Sequence, residues 1–137
     1  MATREEVERF LNRFFQKLKI FSIIFWDNRE KNHSTLFALD ISPRKRIEVI
    51  KSITVDDYSE GPIIDTLHDF GEIWVFGKDV KGQEVYIKIT MGKENSSTIC
   101  ISFHIADYSS HYLPHSISYI SYRISYQKSP YRLQKRT

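Results

Sequence analysis

Residues Gly77 to His104, GKDVKGQEVYIKITMGKENSSTICISFH, alternate apolar and polar side chains on both sides of a Lys-Gly pair. Alternation marks a strand with one wet face, because successive side chains point to opposite sides of a sheet. Lys81-Gly82 suits a two-residue hairpin turn, since Gly tolerates the positive φ that such a turn requires. A turn centred there sets Gly77 opposite Tyr86 and Val75 opposite Lys88. One face then carries Val85, Ile87, Ile89, Ile99, Ile101 and Phe103, and reads as a core. The other carries Glu84, Tyr86, Lys88, Cys100, Ser102 and His104. That second face is either ordinary solvated sheet or a place for chemistry.

The rest of the chain supplies what such a sheet packs on. Thr3 followed by Glu6 reads as a capping box. Val7, Phe10, Leu11, Phe14 and Leu18 then keep the spacing of one helix face, which predicts a helix over 4–18. KIFSIIFW (19–26) is aromatic and β-branched, so it reads as a strand, and DNREKNHS (27–34) as a polar connection. STLFALDI (34–41) reads as a short helix. Ser42-Pro43 opens a third helix over 43–52, with Ile47 and Ile50 inward. Residues 53–71 have turn residues and no period, and Gly61-Pro62 reads as a breaker, so they are assigned to a loop. Strands follow at 72–78, 83–91 and 97–105. The expected fold is an α+β domain over residues 1–108, with N-terminal helices on a twisted, mostly antiparallel sheet ending in a three-stranded meander.

Charge is unevenly placed. Residues 1–108 hold 15 Lys and Arg and all 17 Asp and Glu, while residues 109–137 hold 5 basic residues and no acid. A body so close to neutral is not a general polycation, so any nucleic-acid contact is local or made by the tail. The tail over 109–137 is rich in Ser and Tyr, with a loose Ile-Ser-Tyr repeat. A mobile or partner-ordered segment, a weak helix and a base-stacking arm all fit that composition. The one cysteine, Cys100, leaves no internal disulfide and fits a reducing cytosol. MATREEVERF lacks the basic start and apolar run of a signal peptide, and the longest apolar run, IFSIIFW, is too short to span a bilayer. The expectation is a cytoplasmic protein with no membrane segment.

The meander also resembles a known family. Ile73-Trp74, Gly82-Gln83, Val85-Tyr86-Ile87-Lys88-Ile89-Thr90 and the apolar strand Ile99 to His104 follow the pattern of the motility quorum-sensing regulator (MqsR) toxins. Upstream, STLFALDISPRKRIEVIKSITVDDY resembles that family's helix leading into an Asp-aromatic-Tyr stretch. The likeness covers about residues 5–108 and is sharpest over 73–104. It implies a RelE-like fold and a cytoplasmic enzyme that cleaves messenger RNA without a metal or other cofactor. It also implies a cognate antitoxin protein as partner. Three positions depart from the pattern: Ser59 stands near the family's lysine, Val75 at its glutamine and His104 at its terminal lysine. Tyr86 stands as the pattern asks. The departures keep a second reading open, a catalytically inactive relative that binds an antitoxin or RNA.

RNA cleavage without metal uses the RNA's 2′-OH as nucleophile. It needs a base, an acid at the leaving 5′-oxygen and positive charge at the phosphate. Imidazole, with an ordinary pKa of about 6.5, makes His104 the natural acid/base. Lys88, with Lys78 at the adjacent strand end, is a candidate to hold the phosphate. Tyr86 is a candidate hydrogen-bond donor or stacking ring. Arg29 and Lys31, with His33, are candidate RNA-backbone contacts on a polar loop whose first reading is plain solvated chain. Asp56, Asp57, Tyr58 and Glu60 offer paired acids in a setting common to turns. His68, His111 and His115 have no metal-ligand spacing with Cys100, so no metal site is expected. No Gly-rich phosphate loop precedes a helix, and Ser102 has no nucleophile-elbow context.

Overall fold

A computed structural model describes residues 1–26, 30–66 and 68–106, the side chains at 30–33 excepted. The tail over 109–137 and Arg29 lie outside the described residues. The chain is α+β. Helix α1 (Arg4–Phe21), strand β1 (Ile23–Phe25), helices α2 (Glu30–Leu39) and α3 (Pro43–Lys51) and a 3-10 turn (Val55–Asp57) precede four strands. These are β2 (Tyr58–Asp65), β3 (Gly71–Val80), β4 (Gln83–Thr90) and β5 (Thr98–Ile105). The five strands form one mixed sheet in the order β1-β5-β4-β3-β2. β1 runs parallel to β5 and every other pairing is antiparallel. Among the described residues no helix is long and apolar enough to cross a membrane.

Helix α1 starts where the capping box places it. The Glu6 N–H donates to Thr3 Oγ1 and the Thr3 N–H to Glu6 Oε1, each at 3.1 Å. The helix runs past Leu18 and takes residues 19–21 from the expected strand. Adding a turn to an existing helix costs far less than nucleating one. Ser22, at φ 67°, ends it with its N–H on the Leu18 carbonyl. Only Ile23–Phe25 are left to pair with β5. Lys17 ties this end of α1 to the β4–β5 connection by donating to the Met91 and Lys93 carbonyls. Desolvation lowers the pKa of its ammonium, and Glu94 partly offsets that. Helix α2 likewise starts earlier than expected, inside the polar stretch. In α3, Ile50 is buried as expected, Ile47 only half so, and Arg46 and Val49 are also buried.

The assigned loop over 53–71 is the largest correction. It holds the 3-10 turn and the edge strand β2, so the antiparallel meander has four strands rather than three. Two register shifts, between Tyr58 and Glu60 and between Glu60 and Ile63, break its period. A bulge at the sheet edge accommodates a Pro that has no N–H to give, so Gly61-Pro62 bends the strand without ending it. Gly61 is needed there: its φ is 130°, and an added Cβ would lie 2.9 Å from the Ile73 carbonyl oxygen. By contrast Lys81 and Gly82 take φ 51° and 82°, the tight turn expected, with Gly77 opposite Tyr86 and Val75 opposite Lys88.

One face of the sheet meets the helices. Val7, Phe10, Leu11, Phe14 and Leu18 of α1 pack with Trp74, Phe76, Val85, Ile87, Ile89 and Phe103. Phe10 stacks on Trp74 with centroids 4.6 Å apart. Phe14, Phe76 and Phe103 are fully buried, each side chain contributing about 1.5–3 kcal/mol through burial. The opposite face, here the outer face, carries the polar half of the β4 alternation.

Candidate functional site

Register builds the site. Tyr86 on β4 and His104 on β5 are direct cross-strand partners, and Lys88 sits two residues along β4 from Tyr86, opposite Ser102. Residues two apart on a strand share a face, so all three belong to the outer face. The Tyr86 and His104 ring centroids are 5.0 Å apart at 41°. The Lys88 ammonium lies 5.6 Å from the Tyr86 ring centroid, within cation–π range. All three side chains are half-buried. Gly77, the partner of Tyr86 on its other side, brings no side chain into that space. Val75 and Ser102, the cross-strand partners that flank Lys88 on the same face, are buried. A phenol, an imidazole and an ammonium thus stand over about one strand spacing, roughly 5 Å.

Cys100, placed on this face by the sequence, and Lys78, offered beside it at the adjacent strand end, lie elsewhere. Cys100 is a core residue. A register shift between Lys88 and Ile89 inserts one extra residue in β5, so Cys100 pairs with Ile89 and turns inward, fully buried. Ile101, expected in the core, is absent from the helix-side cluster although it is buried. Lys78 pairs with Val85 and points to the helix side, away from Tyr86. Its ammonium donates to Asp57 Oδ2 at 2.9 Å and to the Ser52 carbonyl at 3.0 Å. Asp57 is 2% exposed, and its carboxylate also accepts the Thr54 N–H. The pair fixes the entry to β2 and removes Lys78 from the phosphate-binding candidates.

The remaining candidates divide as follows. Lys31 lies on α2, one turn before Thr35, whose hydroxyl accepts the Ile105 N–H. That bond sets α2 beside the last residues of β5, close along the chain to His104. The Lys31 side chain and Arg29 lie outside what is described. Asp56 meets Arg4 at 3.7 Å on the surface, so the acids at 56 and 57 serve structure. Tyr58 is fully buried, its hydroxyl donating to the Gly61 carbonyl at 2.7 Å. Ser59 and Val75, the departures noted above, are 1% and 0% exposed.

Some features of the face had no signal in the sequence. Trp26, His68 and Phe70 come from a strand end and a loop and meet only in the folded chain, with centroids 5.0–5.6 Å apart. Among the described residues no group of His, Cys, Asp and Glu is arranged to hold a metal ion. A cleft of about 400 Å³ opens on the helix side, between α1 and the β2–β3 end, and touches none of Tyr86, Lys88 or His104. Comparisons with protein-family models, with curated proteins and with solved structures find no match to this chain.

Proposed function

We propose that this chain is a metal-independent endoribonuclease, a RelE-like toxin that cleaves messenger RNA in the cytoplasm and is silenced by a cognate antitoxin protein. The observation that carries the reading is the Tyr86–His104 pair on the outer face, 5.0 Å between rings, with the Lys88 ammonium beside it. In this reading His104 moves the proton at the 2′-OH or at the leaving 5′-oxygen. Tyr86 donates a hydrogen bond to a phosphate oxygen, and Lys88 offsets the charge that builds there. The attacking oxygen belongs to the RNA, so the product ends in a 2′,3′-cyclic phosphate. The test is a defined RNA incubated with purified protein in EDTA. Cleavage with cyclic ends, lost in Tyr86→Phe and in His104→Ala, is the expected result. Intact RNA at high concentrations of folded protein would reject it.

Burial of Ser59 and Val75 favours a second reading. Where the related toxins carry a lysine and a glutamine, this chain has a small hydroxyl and an apolar side chain, both out of reach of solvent. A relative that keeps its antitoxin partner and has lost cleavage fits those positions. It is distinguished by tight binding to the neighbouring gene's product, uncut RNA and normal growth on expression alone.

A further inference from the structure

The outer face carries a group of rings that the chemistry above does not use. Trp26 follows β1, where Phe25 pairs with the inward-facing Cys100 and packs against the core. The Trp26 N–H donates to the Cys100 carbonyl at 3.0 Å, which continues the β1 pairing by one residue. Alternation therefore turns the indole to the outer face. The loop between β2 and β3 comes round to meet it and is pinned there. The Asp65 carboxylate accepts the His68 and Phe70 N–H groups at 3.1 and 2.9 Å. The hydroxyl of Thr90 donates to the Phe70 carbonyl at 3.0 Å. The Trp26 ring then sits 5.3 Å from His68 and 5.0 Å from Phe70, centroid to centroid.

A satellite core would close these rings to water. Instead His68 is exposed, and Trp26 and Phe70 are half-buried. The distance to the polar patch follows from strand order. Lys88 on β4 and Trp26 at the end of β1 are separated by β5 alone, two strand spacings or about 10 Å. A base splayed from an unpaired strand spans a gap of that order from its phosphate. Aromatic rings stack on any base, because every base has a π-face.

We infer that Trp26 and His68 form a stacking subsite for an unpaired nucleobase of single-stranded RNA, next to the phosphate held at Lys88. The inference rests on the ribonuclease reading for the identity of the ligand, and the experiment separates the two. The full chain is titrated with a single-stranded 2′-O-methyl oligonucleotide, which has no free 2′-OH and is not cut, while indole fluorescence is followed. Trp74 is buried in the core, so quenching on binding reports Trp26. Quenching is expected, with Trp26→Leu and His68→Ala each weakening binding about 5- to 100-fold, both read by fluorescence anisotropy of an end-labelled oligonucleotide because Trp26→Leu lacks the reporting indole. The salt dependence should stay as in the parent for both variants, because neither removes a phosphate-bound cation. It should fall in Lys88→Met. The exposed His68 makes His68→Ala a variant that keeps its melting temperature, so a poorly folded Trp26→Leu does not decide the matter. Quenching with unmodified RNA left uncut keeps the subsite and rejects the nuclease. Cleavage with unmoved fluorescence and parent-like binding by His68→Ala rejects the subsite and keeps the nuclease. Neither binding nor cleavage rejects both.

Discussion

Tyr86 and His104 face each other directly across β4 and β5, and the register that pairs them is the same one that turns Lys78 away. Gly77 faces Tyr86 across β3, so the next residue on β3 points to the helices. The two lysines that the sequence offered for one phosphate thus sit on opposite sides of a sheet. They have different partners and, on the proposed function, different jobs.

Lys88→Met should lower RNA cleavage by about 10²–10³-fold, the usual loss when a charge stabilising the transition state is removed. Lys88→Arg should keep much of the activity. Both should leave stability within about 0.5 kcal/mol, since the side chain is half-buried on the face away from the core. Single-turnover cleavage and urea denaturation of the same preparations check this.

Asp57→Ala should do the reverse. It leaves the ammonium of Lys78, whose side chain is 17% exposed, without its carboxylate and frees the Thr54 N–H. Breaking a buried pair from one side costs about 3–5 kcal/mol, and partial exposure of Lys78 puts this case near the lower end. Cleavage per folded molecule should be unchanged. Adding Lys78→Met to Asp57→Leu should recover part of the loss, because an apolar pair avoids the stranded charge.

The Cys100 thiol should not react with a water-soluble disulfide reagent in the native protein. It is fully buried, and its Sγ lies 3.3 Å from the Ser102 carbonyl. Labelling should appear only as the chain unfolds, at a rate set by opening rather than by reagent concentration. Rapid labelling of the folded chain would contradict the bulge that turns this residue inward.

Glu6 gives a pH dependence with a definite sign. Hydrogen bonds from the Thr3 backbone and side chain hold its carboxyl below the ordinary value of 4.5, with Arg9 adding to the effect. The folded chain therefore binds this proton less readily than the unfolded chain. Its contribution is present above pH 4.5 and fades as the pH falls through the lowered folded value. Glu6→Gln should flatten the acid side of the stability profile, measured by thermal unfolding between pH 5 and 2. Thr3→Ala should cost about 1 kcal/mol through the lost cap.

The turn at Lys81-Gly82 was legible because two residues and their alternating flanks fix a hairpin by themselves. From it the pairing of Tyr86 with Gly77 and of Lys88 with Val75 could be counted off. The capping box at Thr3 and Glu6 was legible for the same local reason. Cys100 was not, because one extra residue in β5 reverses the facing of every side chain beyond it, and no residue type announces a bulge of this kind. β2 was missed because two such shifts flank Gly61-Pro62 and erase its period. The Lys78–Asp57 bridge and the Trp26–His68 contact join residues 21 and 42 positions apart, and only the folded sheet brings them together. Nothing in local pattern reports such distances.

The parallel seam between β1 and β5 has a consequence for how the chain matures. Residues 23–25 find their partners only at 98–100, so the β1 edge cannot close until nearly all of this domain has left the ribosome. His104 lies just beyond that seam. On the proposed function, the chain would stay inactive through most of its own translation, with the Tyr86–His104 surface among the last parts to be completed.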